Sequence, residues 1–240
     1  MWKKMFLAVL VVCLTFGQSK QSKADILLSW NTAGNLGTET SEPSVTNDPS
    51  IAASTLTLSG VTPAGNGNRF GGSGWFDAGN TLAGSTLAEA VAGNNFIQFV
   101  VAPTSGSFTA TSLDFIWDRS STGPSAVALR SSVDGFASDL GSVTGMISGG
   151  AATNTLRTIA ISGLNDVSSA TTFRLYGFNA TATTGTGGFD TVTGLTTPNV
   201  IFNGTITAVP EPTSIALVSL IGCAGLVSAY RRRKAKSKSV

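Results

Sequence analysis

The residues that most enzymes rely on are missing from the middle of this chain. Between Asp25 and Val209 there is no histidine, no cysteine and no lysine. That removes the Ser-His-Asp and Cys-His nucleophile systems. It also removes the usual zinc and copper ligands, and the amine that a Schiff base needs. Paired carboxylates are the remaining catalytic option. A glycosidase needs two of them, roughly 5–10 Å apart across the scissile bond. Asp114 and Asp118 lie on one predicted strand beside Trp117. Residues i and i+4 of a strand are about 13 Å apart, so either acid would need a partner from another strand. The simpler reading of the acids is solvated side chains and turn caps, with Glu89 a helix cap. The chain reads as a protein that is not an enzyme and carries no cofactor.

Binding is the other chemistry open to these residues. Trp75 and Phe76 end a glycine-rich stretch, Gly71-Gly72-Ser73-Gly74, where an exposed ring could stack on a sugar. The competing reading is a loop folded down on its own aromatic anchors. Asp77, Asp134, Asp139 and Asp190 could offer oxygens to calcium, but none has the spacing of a helix-loop-helix calcium site. No phosphate-cradling G-x-x-x-x-G-K-S/T is present, and the glycine run does not join a strand to a helix. Arg119, Arg130 and Arg174 read as structural partners of acids, where surface pairing contributes little.

The elements that must position these side chains are strands. The middle of the chain is rich in Gly, Ser, Thr and Ala and poor in helix formers. Strands are predicted at Ile26–Trp30, Thr55–Val61, Phe96–Ala102, Ser107–Asp118, Ala126–Ser131, Leu140–Ile147, Thr155–Ile161, Thr172–Phe178 and Val200–Thr207. Leu113, Phe115 and Trp117 alternate with Ser112, Asp114 and Ile116, the pattern of a sheet with one buried face. Pro63 to Gly84 reads as a long loop, and Gly185 to Gly188 as a flexible one. Thr86-Leu87-Ala88-Glu89 is a capping box that starts one short helix, Leu87 to Ala92, ended by Gly93-Asn94-Asn95. About nine short strands at this spacing indicate an all-β fold. The expectation is a jelly-roll-like, concanavalin A-like sandwich over 25–208 in which the first and last strands pair.

Charge narrows the partners. Five arginines face twelve carboxylates between Asp25 and Val209, a balance of −7. The basic residues behind the overall pI of 8.7 lie largely in the two ends. This charge argues against nucleic acid as a partner.

Both ends read as targeting segments. Lys3 and Lys4 precede an apolar stretch, Met5 to Phe16, and Ser22-Lys23-Ala24 is a small-x-small cleavage site, so 1–24 reads as a signal peptide. Val12 before Cys13 argues against a lipidation site. At the other end Val209-Pro210-Glu211-Pro212 is followed by an uncharged apolar run, Thr213 to Tyr230, and then Arg231-Arg232-Arg233-Lys234. As a helix the run would be roughly 27 Å long, enough to cross a hydrocarbon core. The basic cluster would stay on the cytoplasmic side, leaving the preceding chain outside.

This three-part ending resembles the PEP-CTERM sorting tail of Gram-negative bacteria. The sorting signal is 209–234, with 213–230 as the membrane helix and 231–240 as a basic cytoplasmic tail. The resemblance implies handling by a membrane-embedded exosortase, with cutting near Pro-Glu-Pro. Asp118–Pro124, Leu129–Phe136 and Phe173–Ala180 also resemble segments of exported PEP-CTERM proteins from planctomycetes and related bacteria, which implies architecture and address but no chemistry. The expected protein is anchored in the membrane at first and then displayed at the cell surface or in the extracellular matrix as a structural or adhesive module. Its expected partners are the exosortase, the membrane and extracellular polysaccharide. A carbohydrate-binding lectin-like protein and a glycan-cleaving enzyme are the alternatives.

Overall fold

A computed structural model describes residues 25–76, 85–149, 155–191 and 198–208. These form two antiparallel sheets packed face to face. The longest strand is β8 (Ser107–Arg119), about 40 Å from end to end. Along one edge it carries β14 (Val200–Thr207) and β13 (Gly187–Asp190), laid end to end. Val200 is opposite Phe115 and Phe189 opposite Trp117, and the N–H groups of Ile116 and Ser120 donate to Asn199 and Thr186 on that side. β11 (Leu156–Ala160) covers the other edge.

The next rank outward repeats the arrangement. β1 (Asp25–Trp30) lies on β14, and β6 (Arg69–Ser73) lies on β13. Short strands finish the sheet, β3 (Thr46–Asn47) beside β1 and β5 (Thr62–Pro63) beside β6. The second sheet runs β10 (Gly141–Val143), β9 (Ala126–Ser131), β12 (Thr171–Phe178), β7 (Phe96–Val101), β4 (Thr55–Ser59), β2 (Ser41–Pro43). The pairing of first and last predicted strands is observed, with Trp30 opposite Val200.

Alternation along the strands places the core. Leu113, Phe115 and Trp117 of β8 point inward with Phe173 and Leu175 of β12, and all are buried. Rings meet both within and between the layers. Phe173 lies parallel to Phe99 at 5.2 Å and tilted against Phe202 at 4.7 Å, and Trp30 leans on Phe99 at 5.0 Å. Such pairs add about 0.5–1.5 kcal/mol beyond the area they bury.

On the outer face of the second sheet, α1 (Leu87–Gly93) covers a smaller cluster of Ala90, Phe96 and Tyr176. The capping box is present: the Glu89 N–H donates to the Thr86 hydroxyl, and the Thr86 N–H donates to the Glu89 carboxylate. Asn94 ends the helix in the left-handed conformation, φ 56°.

Exposed sheet edges invite pairing with other chains. Here β2 and β5 carry Pro43 and Pro63, which cannot donate to an added strand. At the opposite side, Gly141 of β10 lies against Ala160 and Ile159 of β11, bringing the two sheets' edges together.

Two stretches read as loops contain strands. β6 lies inside 63–84, β5 overlaps its first residue, and β13 overlaps 185–188. Glycine reads as a turn former in sequence, but here it serves close backbone approach. A Cβ on Gly71 would meet the backbone of Gly187 and Gly188, and one on Gly72 would meet Thr62 and Pro63.

The ring-to-ring packing sets an expectation. Phe173→Ala removes the ring shared by Phe99 and Phe202, and such truncations cost about 3–5 kcal/mol. Urea unfolding should show a shift of that size, whereas a loss below about 1 kcal/mol would move the weight of the core elsewhere.

Candidate functional site

Trp75 lies one glycine beyond β6, and the structure places it in the core. It is 0% exposed. Its indole N–H donates to Gly72 O at 2.8 Å and Gly187 O at 3.3 Å. Its ring meets Trp117 edge-on at 5.8 Å, and Gly177 of β12 leaves room for it. Stacking on a sugar needs an open ring face, which Trp75 does not offer. Phe76 is half-buried and packs on the same core. The expectation of an exposed aromatic pair gives way to the anchor reading, because the glycine strands around Trp75 leave space that only a large ring fills.

The carboxylates are likewise occupied. Asp114 accepts from the Asn203 amide at 2.7 Å. Asp118 is ion-paired to Arg69 and accepts from Asn66 Nδ2 at 3.2 Å. Asp134 accepts the N–H groups of Ala137 and Ser138, a turn role. Asp139 pairs with Arg130 at 2.6 Å, and Asp190 accepts the N–H of Thr191. Asp77 lies outside the described residues. Among the described residues no three His, Cys, Asp or Glu side chains converge to hold a metal.

The arginines take structural positions. Arg119 donates to the carbonyls of Ser121, Gly123 and Met146, and burial pulls its guanidinium below the ordinary value. Arg174 is sandwiched between the rings of Phe96 at 4.3 Å and Phe136 at 3.9 Å, a cation–π arrangement.

The described residues end at Ala208. The sorting-signal residues expected from sequence, Val209, Pro210, Glu211, Pro212, Arg231, Arg232 and Arg233, lie outside the described residues, as do 1–24 and 213–230. Among the described residues no helix is long and apolar enough to cross a membrane.

One site emerges that the sequence reading missed. At the Arg119 end of β8, the first sheet carries a shallow dish of about 290 Å³ lined by Ala64, Gly65, Asn66, Arg69, Asp118 and Thr186, with Arg119 and Ser120 at its side. Its floor is a desolvated ion pair: the side chains of Arg69 and Asp118 are 4% and 16% exposed. Arg69 also donates to the Thr186 hydroxyl at 3.0 Å and stands opposite Asp190 in the β6–β13 register. Burial lowers the Arg69 pKa, countered by attraction to Asp190. Burial also pushes Asp190 upward, against the Thr191 N–H and the Arg69 charge. The signal available in sequence was an arginine flanked by Phe70 in a glycine-rich run, which reads as loop until β6 is recognised.

The dish wall is braced. Asn68 donates its N–H to Asn35 O at 2.7 Å and accepts the Gly34 N–H on its amide oxygen at 2.9 Å. Thr32 bonds Asn68 O at 2.7 Å. Gly37, at φ +82°, lies against the backbone of Asn66 and Ala64, where a side chain would collide. Asn35 in turn donates to the buried Glu42 carboxyl at 2.7 Å. Burial raises the Glu42 pKa, the Asn35 bond opposes this, and the nearby Glu39 charge adds to it.

Compared with known proteins, the chain matches no family model, no curated protein and no solved structure.

Two expectations follow from these charges. Asp118→Ala removes the contact partner of the buried Arg69 cation and leaves it only the more distant Asp190, and breaking a buried pair this way costs about 3–5 kcal/mol. Denaturant unfolding that shows less than about 1 kcal/mol would mark the pair as solvated. Glu42→Gln keeps an acceptor for Asn35 and removes the ionisation. A carboxyl whose folded pKa is raised is penalised by folding once ionised. The variant should therefore gain stability relative to the parent as pH rises above 4.5, the ordinary value, and level off beyond the folded pKa. Urea midpoints across the acid range check this, and parallel curves would refute it.

Proposed function

We propose that this chain is an exported protein displayed at the cell surface or in the extracellular matrix, without enzymatic activity, whose β-sandwich serves as a structural or adhesive module. It carries a PEP-CTERM-like tail recognised by an exosortase. The observation that carries the reading is the order Pro210-Glu211-Pro212, uncharged 213–230, Arg231-Arg232-Arg233 at one end, with a signal-peptide pattern at the other. A helix of that length suits a bilayer, and the arginines suit its cytoplasmic face.

The fold is compatible with this use. The finer architecture we propose is jelly-roll-like, of the concanavalin A-like kind. β14 ends at Thr207, two residues before the tail signature begins, so an anchored helix would follow the last strand almost without a spacer. β1 runs antiparallel to β14, with Asp25 opposite Gly204. The cleaved front end would therefore leave the sandwich on the same side as the anchor, and the dish at Arg69 and Asp118 would face away from the membrane.

The test is mass spectrometry of the mature C-terminus recovered from the surface or medium. The expected species ends near Pro210-Glu211-Pro212 and lacks Arg231–Val240. An intact tail on the surface form reduces the protein to a simple anchored one, and recovery of the folded part inside the cell removes the reading altogether.

A further inference from the structure

The dish at the free end of the first sheet has the makings of a binding site, and its chemistry limits what it can hold. A metal cation is disfavoured because the one carboxylate lining the dish, Asp118, is already ion-paired to the Arg69 guanidinium. An anion is disfavoured too. The N–H groups of Arg119 go to backbone carbonyls, and the outer nitrogens of Arg69 go to Asp118 and Thr186.

What remains for a visitor is a set of neutral hydrogen-bonding groups. The Asp118 carboxylate is held in place by Arg69 and still has acceptor capacity. The exposed Asn66 amide beside it presents a donor and an acceptor, and the Thr186 hydroxyl lies on the same rim. The floor also has an unmet donor, since Arg69 Nε finds no acceptor although the residue is buried. Gly65 forms an open lip, with no atom within 4 Å of where its Cβ would stand.

We propose that this dish binds a neutral glycan, taking a vicinal diol between Asp118 and Asn66. One hydroxyl donates to the Asp118 carboxylate, and its neighbour exchanges hydrogen bonds with the Asn66 amide. The carboxylate is oriented before the ligand arrives, and the bonds between Asn68 and Asn35, Gly34 and Thr32 fix the Asn66 loop, so little ordering is left for binding to supply. A volume of 290 Å³ equals about ten waters of liquid, which suits a single sugar unit of a longer chain and weak affinity reinforced by repetition along a polymer. The inference rests on the adhesive reading above and assigns its contact point.

The experiment uses the full chain in detergent micelles, passed over immobilised dextran, mannan and galactan, with anionic polygalacturonate alongside. Two variants accompany it. Gly65→Phe fills the dish from its open lip and leaves the thermal midpoint unchanged. Asn66→Ala removes the amide and leaves the Arg69–Asp118 pair in place. The expected result is retention on at least one neutral polysaccharide, weakened by about tenfold or more in both variants. Retention that Gly65→Phe leaves intact overturns the site while sparing the adhesive reading. Retention on polygalacturonate alone overturns the neutral-glycan assignment. No retention on any of the four overturns the proposal, and the C-terminal mass then decides separately whether the export reading stands.

Discussion

Ring packing between two sheets is what holds this domain together. The region between Asp25 and Val209 has no cysteine to cross-link and no histidine or lysine to build a metal or charge cluster. Cohesion therefore falls on burying apolar surface, and aromatic side chains bury the most per residue. Trp30, Trp75, Phe70, Phe99, Phe108, Phe115, Phe173, Phe189 and Phe202 are all fully buried. The small residues around them follow from this. Gly177 gives way to Trp75, Gly187 to Trp117 and Pro124, and the glycine strands β6 and β13 lie backbone to backbone beneath the Trp75 anchor.

Much of the layered architecture was legible from alternation alone. Ala126–Ser131 and Val200–Thr207 have the same limits in sequence and structure, because each opens on an apolar run directly after a turn-forming pair, Pro124-Ser125 and Pro198-Asn199. The helix was legible because Thr86 and Glu89 stand at the capping spacing. The glycine strands were not. Sequence periodicity needs side chains to alternate, and Arg69-Phe70-Gly71-Gly72-Ser73 has few. The same blind spot hid the dish. Arg69 becomes meaningful only once β6 pairs with β13 and brings Asp190 opposite it, a contact between residues far apart in the chain. Trp75 stayed open between a stacking ring and a loop anchor for the same reason, and only the pairing of β6 with β13 decides for the anchor.

The distribution of charge follows a consistent rule. Cations are placed where something neutralises or delocalises them: Arg69 against carboxylates, Arg119 among carbonyls, Arg174 between two rings. Acids mostly cap turns, pair with arginine or accept from amides near solvent. Glu42 stands apart because its carboxyl is buried with only a neutral amide against it, and it sits at the base of the loop that braces the dish.

The long strand β8 and the collinear pair β13 and β14 also decide how the domain would carry a pull. A load between the chain exit at Ala208 and a tether at the Arg69 end runs parallel to these strands. Ladder hydrogen bonds in an antiparallel pair lie across the strand direction. They would be strained side by side in shear, sharing the force, instead of peeling apart one after another from an end.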